Sequence, residues 1–359
     1  MPHSKMLEEI RQQPAVLQRT LNCEFEGISE LRHIFKKRKP RLIVLAARGT
    51  SDNAAQFGRY LLEITTGIPV SLAAPSVYTL YKSSLNLHDV TVVAMSQSGE
   101  STDTNLVLAR ARASGALTIA ITNNPRSTMA RLAEHVFQVR AGKEKSVAAT
   151  KTYTGQLLIM YLLTYAIGAA INLDDLRRLP DSTEAALRLE AEIAELAERY
   201  RFMNHAVVVG RGLNYSNVFE FALKLMETCY VVAERFSSAD LLHGPIAMLE
   251  ASFPVFFFAP PGVTWPGVSQ MITRLSKMKT EALIITDQSN RPACQKKGWG
   301  KVTRCLSIPA KLAHKLGPVD LYTPIPYIVP AQIFSACLAR AKGLDPDRPR
   351  SLKKITQTM

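Results

Sequence analysis

Two stretches of equal length decide the fold: "RLIVLAARGTSDNAAQFGRYLLE" (41–63) and "HAVVVGRGLNYSNVFEFALKLME" (205–227). Each opens on a short β-branched apolar run, bends at a glycine, and continues with helical spacing. That order predicts a buried strand, a turn and a helix. Gly49 and Gly212 align at the turn, an offset of 212 − 49 = 163 residues. The next unit keeps their separation: "VTVVAMSQSG" (90–99) faces "FPVFFFAPPG" (253–262), with Gly99 and Gly262 as far apart as Gly49 and Gly212. A third pair, "ALTIAITNN" (116–124) and "EALIITDQS" (281–289), is shifted only slightly further. A near-constant offset through successive strand–loop units predicts two similar α/β domains from an internal duplication. Continuous apolar strands alternating with helices predict doubly wound parallel sheets covered on both faces.

Working outward, residues 1–40 read as a helical segment expected to pack on the first domain, 41–175. Residues 176–200 read as a charged helical connector broken at Pro180-Asp181-Ser182, and 201–340 as the second domain. The tail, 341–359, reads as extended. The chain has 359 residues and is 47% apolar, enough for a large core in more than one domain. No apolar run is long enough to span a bilayer, and "MPHSKMLEEIRQQP" does not read as a signal peptide. Five dispersed cysteines without metal-like spacing fit a reduced, cytoplasmic protein with no metal site. The net charge of +14 suits a handler of anionic metabolites, a nucleic-acid binder or a generally basic surface. The densest run, "FKKRKPR" (35–41), lacks nearby aromatics or a recognition helix, so it reads as a solvated connector and no nucleic-acid role is expected.

Ligands of open α/β sheets bind at the carboxyl ends of strands, where "ARGTSDN" and "SQSGESTDT" lie. A strand, a small-residue turn and a helix start present backbone amides and a positive dipole end. Ser96, Ser98 and Ser101 add hydroxyls, and Gly99 allows close approach. Such residues are also ordinary helix caps. The density of serines, and their loss in the second-domain counterpart "APPGVTWPG", favour one phosphate site per chain, in the first domain. GxxxxGK[ST] is absent, which disfavours a nucleoside triphosphate.

"FEFALKLMETCY" puts Glu220, Lys224 and Glu227 on one helix face. A surface ion-pair ladder has that spacing, but the flanking residues are apolar around most of the circumference. A buried carboxylate needs a partner or a purpose, and one with a raised pKa is a usable base near neutrality. His243 precedes Gly244-Pro245, a turn expected to fix the imidazole outside a helix; it is a candidate acid–base group or a capped loop residue.

Together "RGTSDNA", "SQSGES", "AGKEKSVAATKTYT", "FEFALKLMETCY", "SSADLLHGP" and "DPDRPRSLKKITQTM" resemble the sugar isomerase (SIS) domain family. Within it, they are similar to the isomerase half of glucosamine-6-phosphate synthase and to stand-alone SIS-type glucosamine-6-phosphate deaminases. The resemblance implies that Ser96, Gln97, Ser98 and Ser101 hold a sugar phosphate, with Thr50 and Ser51 contributing from the first turn. Ser101 stands where the synthases usually have Thr. Val147 and Ala149 would lie along the sugar hydroxyls, Ala149 replacing a common Ser. Glu227 would move a proton between C1 and C2, supported by Lys224 and Glu220. His243 would open the ring from a neighbouring subunit, which implies a homodimer, and Lys354 would meet the open-chain carbonyl.

The sequence shows no counterpart of the synthase's glutaminase domain, and "AGKEKSVAATK" and "FSSADLLHGP" resemble the deaminase branch. The expectation is therefore a cofactor-free conversion of glucosamine 6-phosphate to fructose 6-phosphate and ammonia. Other amino-sugar or fructosamine 6-phosphates, or plain isomerisation, fit the same loops. A non-catalytic sugar-phosphate sensor is the alternative from another class. Sensors of this family carry a helix-turn-helix domain, for which the segment before the first strand, 1–40, leaves little room, and they need no base.

Overall fold

The computed structural model describes residues 4–295, 299, 303–312, 314, 317–352 and 354. The first half of the chain runs α1 (Lys5–Arg11), α2 (Gln13–Lys37), β1 (Leu42–Ala46), α3 (Thr50–Thr66), β2 (Val70–Leu72), α4 (Pro75–Thr79), β3 (Val90–Ser96), α5 (Thr102–Ala113), β4 (Leu117–Thr122), α6 (Thr128–Leu132), β5 (His135–Gln138) and α7 (Lys151–Ile167). It continues as α8 (Leu173–Arg177), α9 (Leu179–Leu187), α10 (Glu190–Arg199), β6 (His205–Gly210), α11 (Tyr215–Cys229), β7 (Val232–Ser237), β8 (Pro254–Phe258), α12 (Trp265–Lys277), β9 (Glu281–Asp287), α13 (Arg291–Gln295), β10 (Thr303–Ile308) and α14 (Pro324–Ala341).

These elements form two compact units. The first holds residues 15–144, 149–177 and 354; the second holds 4–14, 145–148 and 178–352. Each is built on a five-stranded sheet, ordered β2-β1-β3-β4-β5 in the first and β10-β9-β8-β6-β7 in the second. Every pairing is parallel. The duplicated offset marks the inner strands: β1, β3 and β4 answer to β6, β8 and β9. Both faces of these strands are covered, so all residues of β3, β4, β8 and β9 are buried.

The structure divides the N-terminal and connector segments differently from the sequence expectation. Residues 4–14 belong to the second unit, not the first, while α2 belongs mostly to the first. Asp347 caps α1: its carboxylate accepts from the Lys5 and Met6 amides, each at 2.8 Å, and from Ser4 Oγ at 3.2 Å. Glu9 on α1 accepts from the amides of Lys145 and Ser146. Helices α9 and α10, read as connector, pack on α14. Arg199 of α10 forks onto Glu281 of β9 at 2.7 and 2.9 Å. Pro180 lies in the first turn of α9, where a missing N–H costs no bond, so the helix break falls just before it. No described helix is long and apolar enough to cross a membrane.

Candidate active site

In the first unit the chain switches winding direction between β1 and β3, whose following segments leave the same end of the sheet. After β1 come Arg48, Gly49 and the first residues of α3; Thr50 is half-buried and Ser51 buried. Ser51 Oγ accepts from Gln156 Nε2 of α7 at 2.9 Å. After β3 come Gln97 to Ser101, leading into α5. Arg48 Nη2 donates to Asp103 Oδ2 at 2.8 Å and ties the two segments together. Thr50, Ser51, Ser96, Gln97, Ser98 and Ser101 thus lie on two neighbouring segments at one end of the sheet.

The loop is internally bonded. The Gly99 amide donates to Ser96 Oγ at 3.1 Å and the Glu100 amide to Ser98 Oγ at 3.2 Å. Ser101 Oγ shares a bond of 3.0 Å with Thr104 Oγ1. The bonding of these serines is that of a turn rather than of a helix cap, since Ser101, at the N-cap of α5, makes no side-chain cap bond. It does not compete with anion binding, because a hydroxyl oxygen that accepts still has its own proton to donate. Gly99 has φ +70°, and a Cβ there would collide with the Ser127 side chain. Its carbonyl accepts from Met129 N at 3.0 Å and Asn105 Nδ2 at 3.1 Å. The turn is held from both sides, with the N-terminus of the long helix α5 behind it.

A second cluster in the same unit went unread in the sequence. Glu144, whose side chain is fully buried, accepts from Thr150 N at 2.9 Å, Thr152 Oγ1 at 2.8 Å and Thr152 N at 3.2 Å. Lys354 Nζ donates to it at 3.3 Å. Burial alone would raise the Glu144 pKa; Lys354 and the Thr150 and Thr152 donors outweigh it and hold the carboxyl below its ordinary value. The tail lysine is thereby fixed against the start of α7. The available signal was a lone carboxylate amid the lysines of "AGKEKSVAATK", but spacing does not tell a buried acid from a solvated one.

In the second unit, α11 carries Glu220, Lys224 and Glu227. Both Glu220 and Lys224 side chains are fully buried, while Glu227 is 23% exposed. Lys224 Nζ lies 2.6 Å from Glu227 Oε2 and 3.4 Å from Glu220 Oε1. Burial alone would lower the lysine's pKa, but the two carboxylates raise it above the ordinary value. The lysine therefore stays charged and holds Glu227 in one orientation, with its carboxylate at the solvent edge. The surface-ladder reading fails, since two of the three groups have no solvent contact.

His243 is exposed and is the last residue of a short 3-10 turn, Asp240–His243, rather than lying outside helical structure. Gly244 then takes φ +131°. Val147 and Ala149 are half-buried in the loop before α7. A cavity of about 980 Å³ among α1, α10 and α14, lined by Leu7, Ala194, Cys337 and Leu344, contains none of the expected site residues.

Comparison with known proteins agrees with this architecture. The SIS domain profile matches residues 35–166 and 201–323, one match on each sheet. The chain is 34% identical over 352 residues to a glutamine–fructose-6-phosphate aminotransferase (isomerizing) of Methanothermobacter thermautotrophicus, covering 97% of this chain and 56% of that protein. It spans a little over half the length of the curated relatives it matches. Among solved structures, the C-terminal domain of a glucosamine-fructose-6-phosphate aminotransferase from Francisella tularensis superposes with TM-score 0.85 at 24% identity, covering 97% of this chain and 98% of that one. A glucosamine-6-phosphate deaminase from Thermotoga maritima superposes with TM-score 0.75 at 20% identity, covering 99% of this chain and 100% of that one. With a matching profile on each of its two parallel sheets, this chain belongs to the SIS domain family and carries two tandem SIS domains.

Proposed function

We propose that the protein is an isomerising deaminase of glucosamine 6-phosphate. The observation that carries this reading is Glu227, a carboxylate at the solvent edge clamped by a buried lysine. A structural ion pair needs no such opening, and a phosphate sensor needs no base. The loop at Ser96–Ser101 holds the 6-phosphate through hydroxyl and amide donors. That anchor supplies binding energy remote from the reacting carbons and positions them.

The chemistry follows in four steps. His243, donated by a second copy of the chain in a homodimer, opens the ring. Glu227 removes the C2 proton of the open-chain aldehyde, giving an enaminol, and returns a proton to C1. The C1 aldehyde becomes a primary alcohol and the C2 amine becomes an imine. Water adds to the imine and expels ammonia, leaving fructose 6-phosphate. Lys354, hydrogen-bonded to Glu144, stands as the group that meets the open-chain carbonyl. The scheme calls for neither metal nor redox cofactor.

The curated relatives favour a second reading, in which the same residues run the reverse step and aminate fructose 6-phosphate. One assay separates the two. Pure protein with glucosamine 6-phosphate and no glutamine is expected to release ammonia and fructose 6-phosphate in equal amounts. Turnover only from fructose 6-phosphate with ammonium favours amination, interconversion of fructose 6-phosphate and glucose 6-phosphate without ammonium favours plain isomerisation, and protein inert on all of these substrates sinks all three.

A further inference from the structure

We infer that the second SIS domain holds a phosphate site of its own, where the sequence favoured one site per chain. It lies at the second domain's switch point, on the ends of three neighbouring strands in the order β7-β6-β8. Arg211 follows β6, Ser238 follows β7, and Thr264 stands at the N-cap position of α12, the helix after β8, without a side-chain cap bond. Gly267, in the first turn of α12, is where Arg211 and Ser238 converge. A Cβ built on it would stand 3.6 Å from Arg211 Nη1 and 3.8 Å from Ser238 Oγ, so both groups face the same bare side of this helix start.

Two observations set this apart from an ordinary helix end. Ser238 is 3% exposed and its Oγ has no hydrogen-bond partner, and Thr264 is 9% exposed with an Oγ1 in the same condition. Buried hydroxyls are ordinarily bonded, so a pair left open beside a helix start points to a ligand. In addition, Arg211 is exposed and makes no ion pair among the described residues. The first turn supplies the remaining donor. Pro266 has no N–H, and the Trp265 and Val268 amides donate to Gly262 and Thr264, which leaves the Gly267 amide beside the guanidinium. A guanidinium, a buried hydroxyl and a helix dipole together recognise a phosphate dianion, free or as a monoester. The neighbouring carboxylates are otherwise placed. Asp240 accepts from Ser237 Oγ at 2.8 Å, and Asp320 stands against Gly262, with its pKa raised by burial.

The chain's two tryptophans provide a local reporter. Trp265 opens α12, and its ring lies 6.3 Å from that of Trp299; the first domain has none. Titrating the intact protein with inorganic phosphate, and separately with glycerol phosphate, is expected to change tryptophan fluorescence saturably, whereas glycerol is not. Arg211→Ala and Gly267→Ala should each weaken the response by about tenfold or more, the worth of one charge-assisted hydrogen bond. Alanine fits at 267 because its Cβ contacts are ordinary packing distances, so that variant blocks the face without straining the helix. Ser98→Ala, in the first domain's loop, should leave the response intact, which separates this site from the proposed substrate anchor. No saturable change with either phosphate overturns the inference, as does a response that survives both second-domain variants or disappears with Ser98→Ala.

Discussion

At the scale of single residues, α11 sets the largest electrostatic demand. Lys224 has no solvent contact and balances two carboxylates. Replacing it with methionine keeps the volume but leaves Glu220 as an uncompensated buried charge. Lys224→Met should cost about 3–5 kcal/mol in urea unfolding, and adding Glu220→Gln should restore part of that loss. The pH dependence follows from the direction of the shift. A lysine whose folded pKa is raised stabilises fully below its unfolded value of 10.5 and loses that contribution as pH rises through the folded value. The wild type should therefore lose stability above about pH 10.5 more steeply than the double variant. Glu227→Gln is the opposite kind of change, since its carboxylate already reaches solvent. It should leave the unfolding midpoint within about 1 kcal/mol of wild type and keep phosphate-ligand affinity, while turnover of glucosamine 6-phosphate falls by about a thousandfold or more. Retained turnover would remove Glu227 as the base.

At the scale of elements, what the sequence disclosed depended on how many faces each element buries. The inner strands β1, β3, β4, β6, β8 and β9 are covered on both sides, read as unbroken apolar runs, and so revealed the duplication. The edge strands did not. β7, "VAERFS", is exposed at half of its positions, and β2, "VSL", buries only Val70. A strand paired on one side and half open to water carries no continuous apolar signal. Among the candidate site residues, the hydroxyl loop and the α11 spacing were legible because local sequence positions them. The Glu144–Lys354 pair was not, because its partners lie 210 residues apart. The docking of α1 is of the same kind: helical spacing announces the helix, but not that a carboxylate near the other end of the chain caps it. Asp347→Ala should cost about 1–2 kcal/mol, the worth of a helix cap. Hydrogen exchange should locate the loss in residues 5–11, with the strands of both sheets unchanged; uniform loss of protection would mean that Asp347 serves the whole unit rather than this helix.

At the scale of the whole molecule, the two SIS domains have diverged in kind. The first keeps a serine-rich loop without a basic side chain, and the second puts Arg211 at the end of β6 and carries the clamped carboxylate on α11. Division of labour between duplicated halves explains why Glu227 has no counterpart on α3, where the position matched by the duplication is Ile64, an exposed residue. His243 extends the division to a second copy of the chain under the proposed mechanism, and that step is separable from the rest. Glu227→Gln and His243→Ala should each be inactive alone. If His243 serves the partner's substrate, a two-fold dimer containing one subunit of each variant has one intact site and one doubly damaged site. Refolding the two variants together in equal amounts should then restore about a quarter of wild-type turnover, since about half the dimers are mixed and each has one of two sites working. If His243 acts within its own chain, every site in the mixture carries one lesion and no activity returns. Separately refolded variants mixed without subunit exchange are the control, and recovery there would show that neither substitution had removed an essential group.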